Sequence, residues 1–275
     1  MMFTIFGSTG YIGSELVKHL CSLNVPVQAI ARGDSSWKSR SLGHVIYAVG
    51  LTAGFREHPE KSLEAHAGLL SEILCHQRFD SLTYLSSTRL YGLQSERAAK
   101  EDDAISIRPS LSGVYDSSKL LGESLCLAQS LPTVRVARLS NVFGVGQPSN
   151  VFLPQVLSSL RESGQVEIGE APDSSKDYIS IDDVVKMLVS ISQRGQHRIY
   201  NVASGHNVTH LEIAHAVEKF IPNSVKFAAQ GQTRKLASID IARIHDEFNV
   251  TPKLLLPSIE ALLKSDGFAN TMRKI

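Results

Sequence analysis

The chain has 275 residues, room for one large domain or a large and a small one. Its 43% hydrophobic and 20% charged residues are those of an ordinary globular protein, and a formal net charge of +1 leaves no bulk attraction to nucleic acid or an anionic membrane. Cys21, Cys75 and Cys126 lie too far apart for a disulfide framework or a metal-ligand spacing, which suits a reducing cytoplasmic setting, and no apolar stretch approaches membrane-spanning length.

The opening Met1 to Phe6 is apolar but too short for a signal peptide and has no basic leader, so Phe3 to Phe6 is expected to be a buried strand. Ile12, Leu16, Val17, Leu20 and Leu23 mark one face of a helix over 11–23. Strands are expected at 25–31 and 44–49, a helix at 59–76, a strand at 81–85, a helix at 115–129 and a strand at 134–139. Short apolar runs alternating with helical patterns predict parallel strands joined by crossover helices. Further on, helices are expected at 152–161 and 182–191, a strand at 197–202, and short helices at 211–220 and 239–248. No internal repeat or low-complexity linker divides the chain, so its halves are expected to interleave in one unit.

Gly7-Ser8-Thr9-Gly10-Tyr11-Ile12-Gly13 falls between the first strand and the first helix. Gly7 permits the tight turn, Gly10 lets backbone approach a pyrophosphate, and Gly13 allows close packing of helix on strand. The helix N-terminus behind them offers free N–H groups and a positive dipole end to phosphates. A dinucleotide is therefore the expected cofactor. The second strand closes on Ile30-Ala31-Arg32-Gly33-Asp34: the usual ribose-binding acid is missing at Ala31, and Arg32 follows. Arginine suits a 2′-phosphate, which favours NADP, with NAD as the other choice should Asp34 serve the ribose.

Tyr115-Asp116-Ser117-Ser118-Lys119 is expected to open a helix with Tyr115 and Lys119 on one face. A lysine ammonium near a tyrosine favours the phenolate, which can then exchange a proton with a carbonyl or alcohol oxygen. Upstream lies Tyr84-Leu85-Ser86-Ser87-Thr88-Arg89-Leu90-Tyr91-Gly92. Together with the glycine motif, these segments resemble the extended short-chain dehydrogenase/reductases of the nucleotide-sugar epimerase/dehydratase group. Arg138-Leu139-Ser140-Asn141-Val142-Phe143-Gly144 and Lys176-Asp177-Tyr178-Ile179-Ser180-Ile181-Asp182-Asp183-Val184 extend the resemblance, and Tyr200-Asn201-Val202 and the stretch from Arg234 to Arg243 follow in order.

The resemblance implies an α/β fold: a Rossmann-type doubly wound parallel sheet with a smaller C-terminal substrate-binding lobe. Residues 1–145 would bind the cofactor, while 146–275 would form most of the second lobe, partly interleaved with the first. It implies that Tyr115 is the acid–base residue, Ser87 the hydrogen-bond donor to the reacting oxygen, and Lys119 the grip on the nicotinamide ribose. Gly7, Thr9, Gly10, Tyr11, Ile12, Gly13 and Arg32 would complete the cofactor site. Ser87, Thr88, Asn141 and Arg234 would meet a nucleotide-sugar substrate, Arg234 at its diphosphate. A homodimer is implied, built on the helices at 62–74 and 120–127.

Three departures refine the expectation. The link between the second strand and His44 is too short for the usual third strand and its helix, so the sheet is expected to be one strand short. His66 stands where the family usually keeps an asparagine. Thr88 and Arg89 occupy the place of the Asp-Glu pair of sugar 4,6-dehydratases, which removes the carboxylates that elimination needs. The leading expectation is thus a 4-ketoreductase. Its rivals are a 4-epimerase with tightly held NAD and a non-catalytic nucleotide-sensing protein. His206, His210 and His215 fall close together, the first two one helical turn apart, but nothing completes a metal site. Glu101-Asp102-Asp103 is expected to be a solvated run, and Trp37 either flanks the adenine or anchors its loop.

Overall fold

In the computed structural model, residues 1–51, 58–76, 78–149 and 151–265 are described. β1 (Phe3–Phe6) turns through the glycine motif into α1 (Tyr11–Ser22), which returns the chain to β2 (Val27–Ile30). Only a 3-10 turn (Ser36–Ser39) lies between β2 and β3 (His44–Tyr47). α2 (Pro59–Leu63), a π turn (Glu64–Gly68) and α3 (Leu69–His76) then run on as one helix of uneven pitch. β4 (Ser81–Ser87), a 3-10 turn (Thr88–Tyr91), α4 (Leu111–Leu127) and β5 (Val134–Leu139) follow. The remainder comprises β6 (Asn141–Phe143), α5 (Phe152–Ser163), β7 (Val166–Ile168), β8 (Ser175–Ser180), α6 (Ile181–Arg194), β9 (Ile199–Val202), β10 (Asn207–Thr209), α7 (His210–Glu218), β11 (Val225–Phe227), α8 (Ala242–Phe248) and α9 (Leu255–Ser265).

Six parallel strands form the main sheet in the order β2-β1-β3-β4-β5-β9. β1 and β5 are buried along their whole length, as strands covered on both faces must be. On one face, Phe3, Ile5, Ile46 and Leu85 pack against Leu16 and Leu20 of α1 and Val184, Leu188 and Ile191 of α6. On the other, Phe6, Val45, Leu82 and Val136 meet Leu70 and Ile73 of α3 and Cys126 of α4. In the full doubly wound order a third strand lies beyond the second. Here β2 is the edge, with no strand outside it among the described residues. No helix among them is long and apolar enough to cross a membrane.

A second core gathers Leu153, Val156 and Leu160 of α5, Ile213 and Val217 of α7, and Ile259 and Leu263 of α9 over the sheet β10-β8-β6 and the pair β11-β7. The lobes interlock: β9 and α6 come from the second half yet complete the large sheet and its cover, while β6 leaves β5 after one residue to pair with β8.

Several local expectations need correction. The helix carrying Tyr115 begins at Leu111, where the Ser110 hydroxyl caps it by accepting from Gly113 N–H, so Tyr115 lies in the second turn and does not open the helix. Trp37 is 2% exposed and packs edge-to-face on Phe6 and His76, centroids 5.4 and 5.6 Å away, which makes it the loop anchor. Glu101 is buried: its Oε1 accepts from Asn201 N–H at 2.9 Å, so only its neighbours behave as a solvated run. His206 precedes β10 and His210 begins α7, so the two do not share a helical turn.

Candidate active site

The carboxyl ends of β1, β3, β4 and β5 open on a cavity of about 680 Å³ that reaches into the second lobe, the usual position for a ligand in an open α/β sheet. Gly10, Tyr11, Ile12, Ser87, Thr88, Tyr115, Lys119, Asn141 and Arg234 all line it. Thr9 lines a shallower depression beside it, shared with Tyr11 and the segment near Val145. Gly7 and Gly13 lie beneath the turn, and Arg32 is exposed just past the end of β2.

The turn is built for close backbone approach. Gly7 has φ +78°, and a Cβ there would stand 2.8 Å from the Ala48 carbonyl carbon. A Cβ on Gly13 would fall 2.2 Å from Gly7 O. Gly10 caps α1 without a side-chain hydrogen bond, and no acid occupies the first turn. The helix therefore presents open N–H groups and an unopposed positive end, the surroundings a pyrophosphate requires. These residues fit a dinucleotide.

Across the cavity, Ser87 ends β4 and Tyr115 and Lys119 project from α4. The Ser87 hydroxyl accepts from Arg89 N–H at 3.2 Å and is hydrogen-bonded to the Tyr115 phenol. Lys119 Nζ donates to Leu85 O at 2.7 Å, using one of its three donors. Burial pushes this ammonium down to about 7, partly countered by Glu123. Burial pushes Tyr115 up to about 12, against the pull of Arg89, while Asp116 adds to the rise. The sequence pattern credits Lys119 with lowering Tyr115. In the structure Lys119 Nζ sits 5.2 Å from the Tyr84 ring, and the cation acting on Tyr115 is Arg89, its Cζ 5.3 Å from the ring centre. Arg89 could have been suspected from its place two residues after Ser87.

The π turn carries His66 inward, where it is fully buried. Ser118 Oγ donates to Tyr115 O at 2.9 Å, so His66 Nδ1–H donates to Ser118 Oγ at 2.8 Å. His66 Nε2 accepts from Leu51 N–H at 3.3 Å. Both ring nitrogens are thus engaged within the protein. At the far end of the cavity lie Glu170, Lys176 and Tyr178, which sequence reasoning did not single out as ligands. Lys176 Nζ stands 4.2 Å from the Phe152 ring centre, and buried His210 stacks on the same ring at 4.2 Å. Asn141 Nδ2 is tethered to Asp177 O at 2.8 Å.

The sequence model of the NAD dependent epimerase/dehydratase family matches residues 56–203. Over 201 residues the chain is 25% identical to a dTDP-glucose 4,6-dehydratase of Streptomyces griseus, covering 70% of this chain and 57% of that protein. Over 191 residues it is 27% identical to the dTDP-4-dehydro-6-deoxyglucose reductase of Escherichia coli, covering 66% and 59%. The matched region thus spans less than two thirds of either relative. The fold is shared with MoeE5 in complex with UDP-glucose and NAD, at a TM-score of 0.81 and 19% identity over 96% of this chain and 98% of that one. It is also shared with RMD from Pseudomonas aeruginosa complexed with NADPH, at 0.79 and 21% over 96% and 97%.

Burial drives His66 down to about 3, with the Lys119 charge adding to the fall. Because the unfolded chain takes up this proton near pH ~6.5 and the folded one does not, the stability due to neutral His66 is complete above that pH. It is lost progressively as pH falls toward 3. Urea unfolding midpoints should therefore drop more steeply with acid in the wild type than in His66→Asn; equal slopes would show that His66 is not the group responsible.

Proposed function

The chain belongs to the NAD dependent epimerase/dehydratase family, and we propose that within it the protein is an NADP(H)-dependent reductase of the 4-keto group of a nucleotide-activated sugar. The observation that carries this reading is Ser87, Tyr115 and Lys119 on one cavity wall beside Thr88 and Arg89, with neither of the last two offering the carboxylate that dehydration needs. The name of the E. coli relative, a 4-dehydro-sugar reductase, supports it.

A bound dihydronicotinamide would supply hydride to the carbonyl carbon. The rest falls to the protein's own groups. Ser87 orients the carbonyl oxygen. Tyr115, kept protonated by burial, delivers its phenolic proton to that oxygen as the alcohol forms. Lys119, steadied by Leu85 O, has two donors left for ribose hydroxyls. Asn141 meets the sugar nucleotide, and Arg234, with Lys176 nearby on the cavity wall, meets its diphosphate. Tyr115→Phe should keep NADPH binding yet lower kcat/KM for a nucleotide 4-keto sugar roughly 10²–10⁴-fold; full turnover by this variant would remove Tyr115 from the mechanism.

The choice of NADP rests on Arg32, exposed at the carboxyl end of β2. Asp34, the acid that would serve an NAD ribose, accepts from Ser36 N–H at 2.8 Å through Oδ1. Fluorescence titration of cofactor-stripped protein should show NADPH binding more tightly than NADH, and Arg32→Ala should reduce that preference about tenfold, the worth of one charge-assisted hydrogen bond. Co-purified NAD or a preference for NADH would instead bring forward a 4-epimerase, which retains NAD and uses the same catalytic residues.

The protein is further read as a cytoplasmic homodimer. Three unpaired thiols suit a reducing compartment. Leu63 of α2 and Val114, Leu121 and Leu127 of α4 are 36–53% exposed on two helices that pack side by side, an apolar surface that a second copy would cover. Sedimentation should give a dimer that Leu121→Glu dissociates, and a monomeric wild type would refute the assignment.

A further inference from the structure

Arg89 takes no part in the proton and hydride transfers, yet it lines the reaction cavity. It sits on the 3-10 turn after β4, with Nε 2.8 Å from Asp116 Oδ1 and Nη2 donating to Asp116 Oδ2 at 3.4 Å. The two side chains are only 22% and 20% exposed, so water screens their charges incompletely. Asp116 directly follows Tyr115 on α4, and the pair therefore straps the turn carrying Ser87's neighbours to the helix carrying the phenol. The guanidinium carbon lies 5.3 Å from the Tyr115 ring centre.

We propose that Arg89, held by Asp116, is a positioning residue for Tyr115: its guanidinium charge favours the phenolate, and the Asp116 carboxylate opposes it. The inference rests on Tyr115 being the acid–base group. Other groups face the phenol, and among the described residues none of them lowers it as Arg89 does. Ser87 and Tyr84 of β4 are neutral hydroxyl bearers. His66 of the π turn, edge-to-face with Tyr115 at 5.3 Å, is kept neutral by burial and the Lys119 charge. Lys119 of α4 donates to Leu85 O and lies against the Tyr84 ring. After burial, which raises Tyr115, Arg89 is the strongest influence on the phenol, and it acts downward; Asp116 follows with the opposite sign.

A mechanical strap and a charge pair give different signs on mutation. Either single substitution breaks the strap identically, whereas the two leave opposite charges beside the phenol. The experiment is tyrosinate difference absorbance at one alkaline pH on NADP⁺-saturated protein, each variant referenced to its own Tyr115→Phe partner. Arg89→Gln should lower the phenolate-to-phenol ratio about tenfold and Asp116→Asn should raise it by a similar factor. Arg89→Lys, which keeps the cation but loses the two-pronged grip on Asp116, should shift the ratio in the same direction as Arg89→Gln but by a smaller factor. Shifts in the same direction, or no shift in either, would overturn the proposal and leave only a strap. This readout needs no substrate. The pH profile of kcat/KM on a nucleotide 4-keto sugar, measured in parallel, should move its alkaline limb up in Arg89→Gln and down in Asp116→Asn. Opposite absorbance shifts with no turnover would keep the charge pair and sink the reductase reading; turnover with parallel shifts would do the reverse.

Discussion

The buried ion pair of Glu123 and Arg138 joins the helix that bears Tyr115 and Lys119 to the sheet that supports it. Arg138 of β5 donates to Glu123 of α4 through Nη2 at 2.7 Å and Nε at 3.0 Å, with the side chains 4% and 1% exposed. The remaining donors are not left idle: Nη1 reaches Tyr91 OH at 2.9 Å and Glu101 O at 3.1 Å. Tyr91 in turn donates to Asn201 Oδ1 at 2.7 Å, and Asn201 N–H donates to Glu101. Two ions taken from water are tolerable only when their hydrogen bonds are met in this way, and removal of one partner typically costs ~3–5 kcal/mol. The network ties α4, β5, β9, the turn after β4 and the loop at Glu101 to one another. Glu123 is one helical turn beyond Lys119, so the pair also fixes how deeply Lys119 sits.

That depth has a steric partner. A Cβ at Gly122 would stand 2.3 Å from Tyr84 OH and 2.7 Å from His66 O, so α4 lies against β4 and the π turn with no side chain between them. The electrostatics follow from this closeness. Burial works against both charged forms at once, driving Lys119 down to about 7 and Tyr115 up to about 12. A protonated phenol is the form that gives a proton to a carbonyl, so packing favours the state that the reductive direction requires. Arrival of an oxidised, positively charged nicotinamide would pull the other way. On that reading, the scaffold and a bound oxidised cofactor would set the proton's position from opposite sides.

Much of this was legible from local signals. The strands of the large sheet are short segments built around apolar residues, and the glycine turn and the spacing of Tyr115 and Lys119 are features of single short segments. What stayed hidden depends on distant residues or on elements too short to show a period, save for β8 and α9, six and eleven residues long, which were missed without either reason. β6, β7, β10 and β11 have three residues each, fewer than an alternation needs to declare itself. Glu101 reads as solvated within its acidic run because the groups that bury it, Asn201 and Arg243, lie at least 100 residues away in sequence. The engagement of both His66 nitrogens depends on Leu51 and Ser118, and the charge acting on Tyr115 comes from a turn whose pairing with Asp116 only the fold brings about.

The shortened link after β2 shows how one such departure reaches the chemistry. A strand and helix outside β2 would cover its edge; in their place a 3-10 turn pins Trp37 into the core against Phe6, Leu42 and Val45. The anchor fixes where the link returns, and Lys38 adds an ion pair to Glu72 of α3 at 2.5 Å. The residues just past β2, Arg32 to Asp34, are thereby left on the surface, with Gly33 at φ +82° and nothing within 4 Å of a Cβ placed there. On the reading that Arg32 meets a 2′-phosphate, this openness is what makes room for the extra phosphate, and the Asx-type bond from Ser36 to Asp34 turns the competing carboxylate into part of the loop. Loss of the strand and selection of the cofactor then have a common physical cause: a short connection that buries its tryptophan and exposes its arginine.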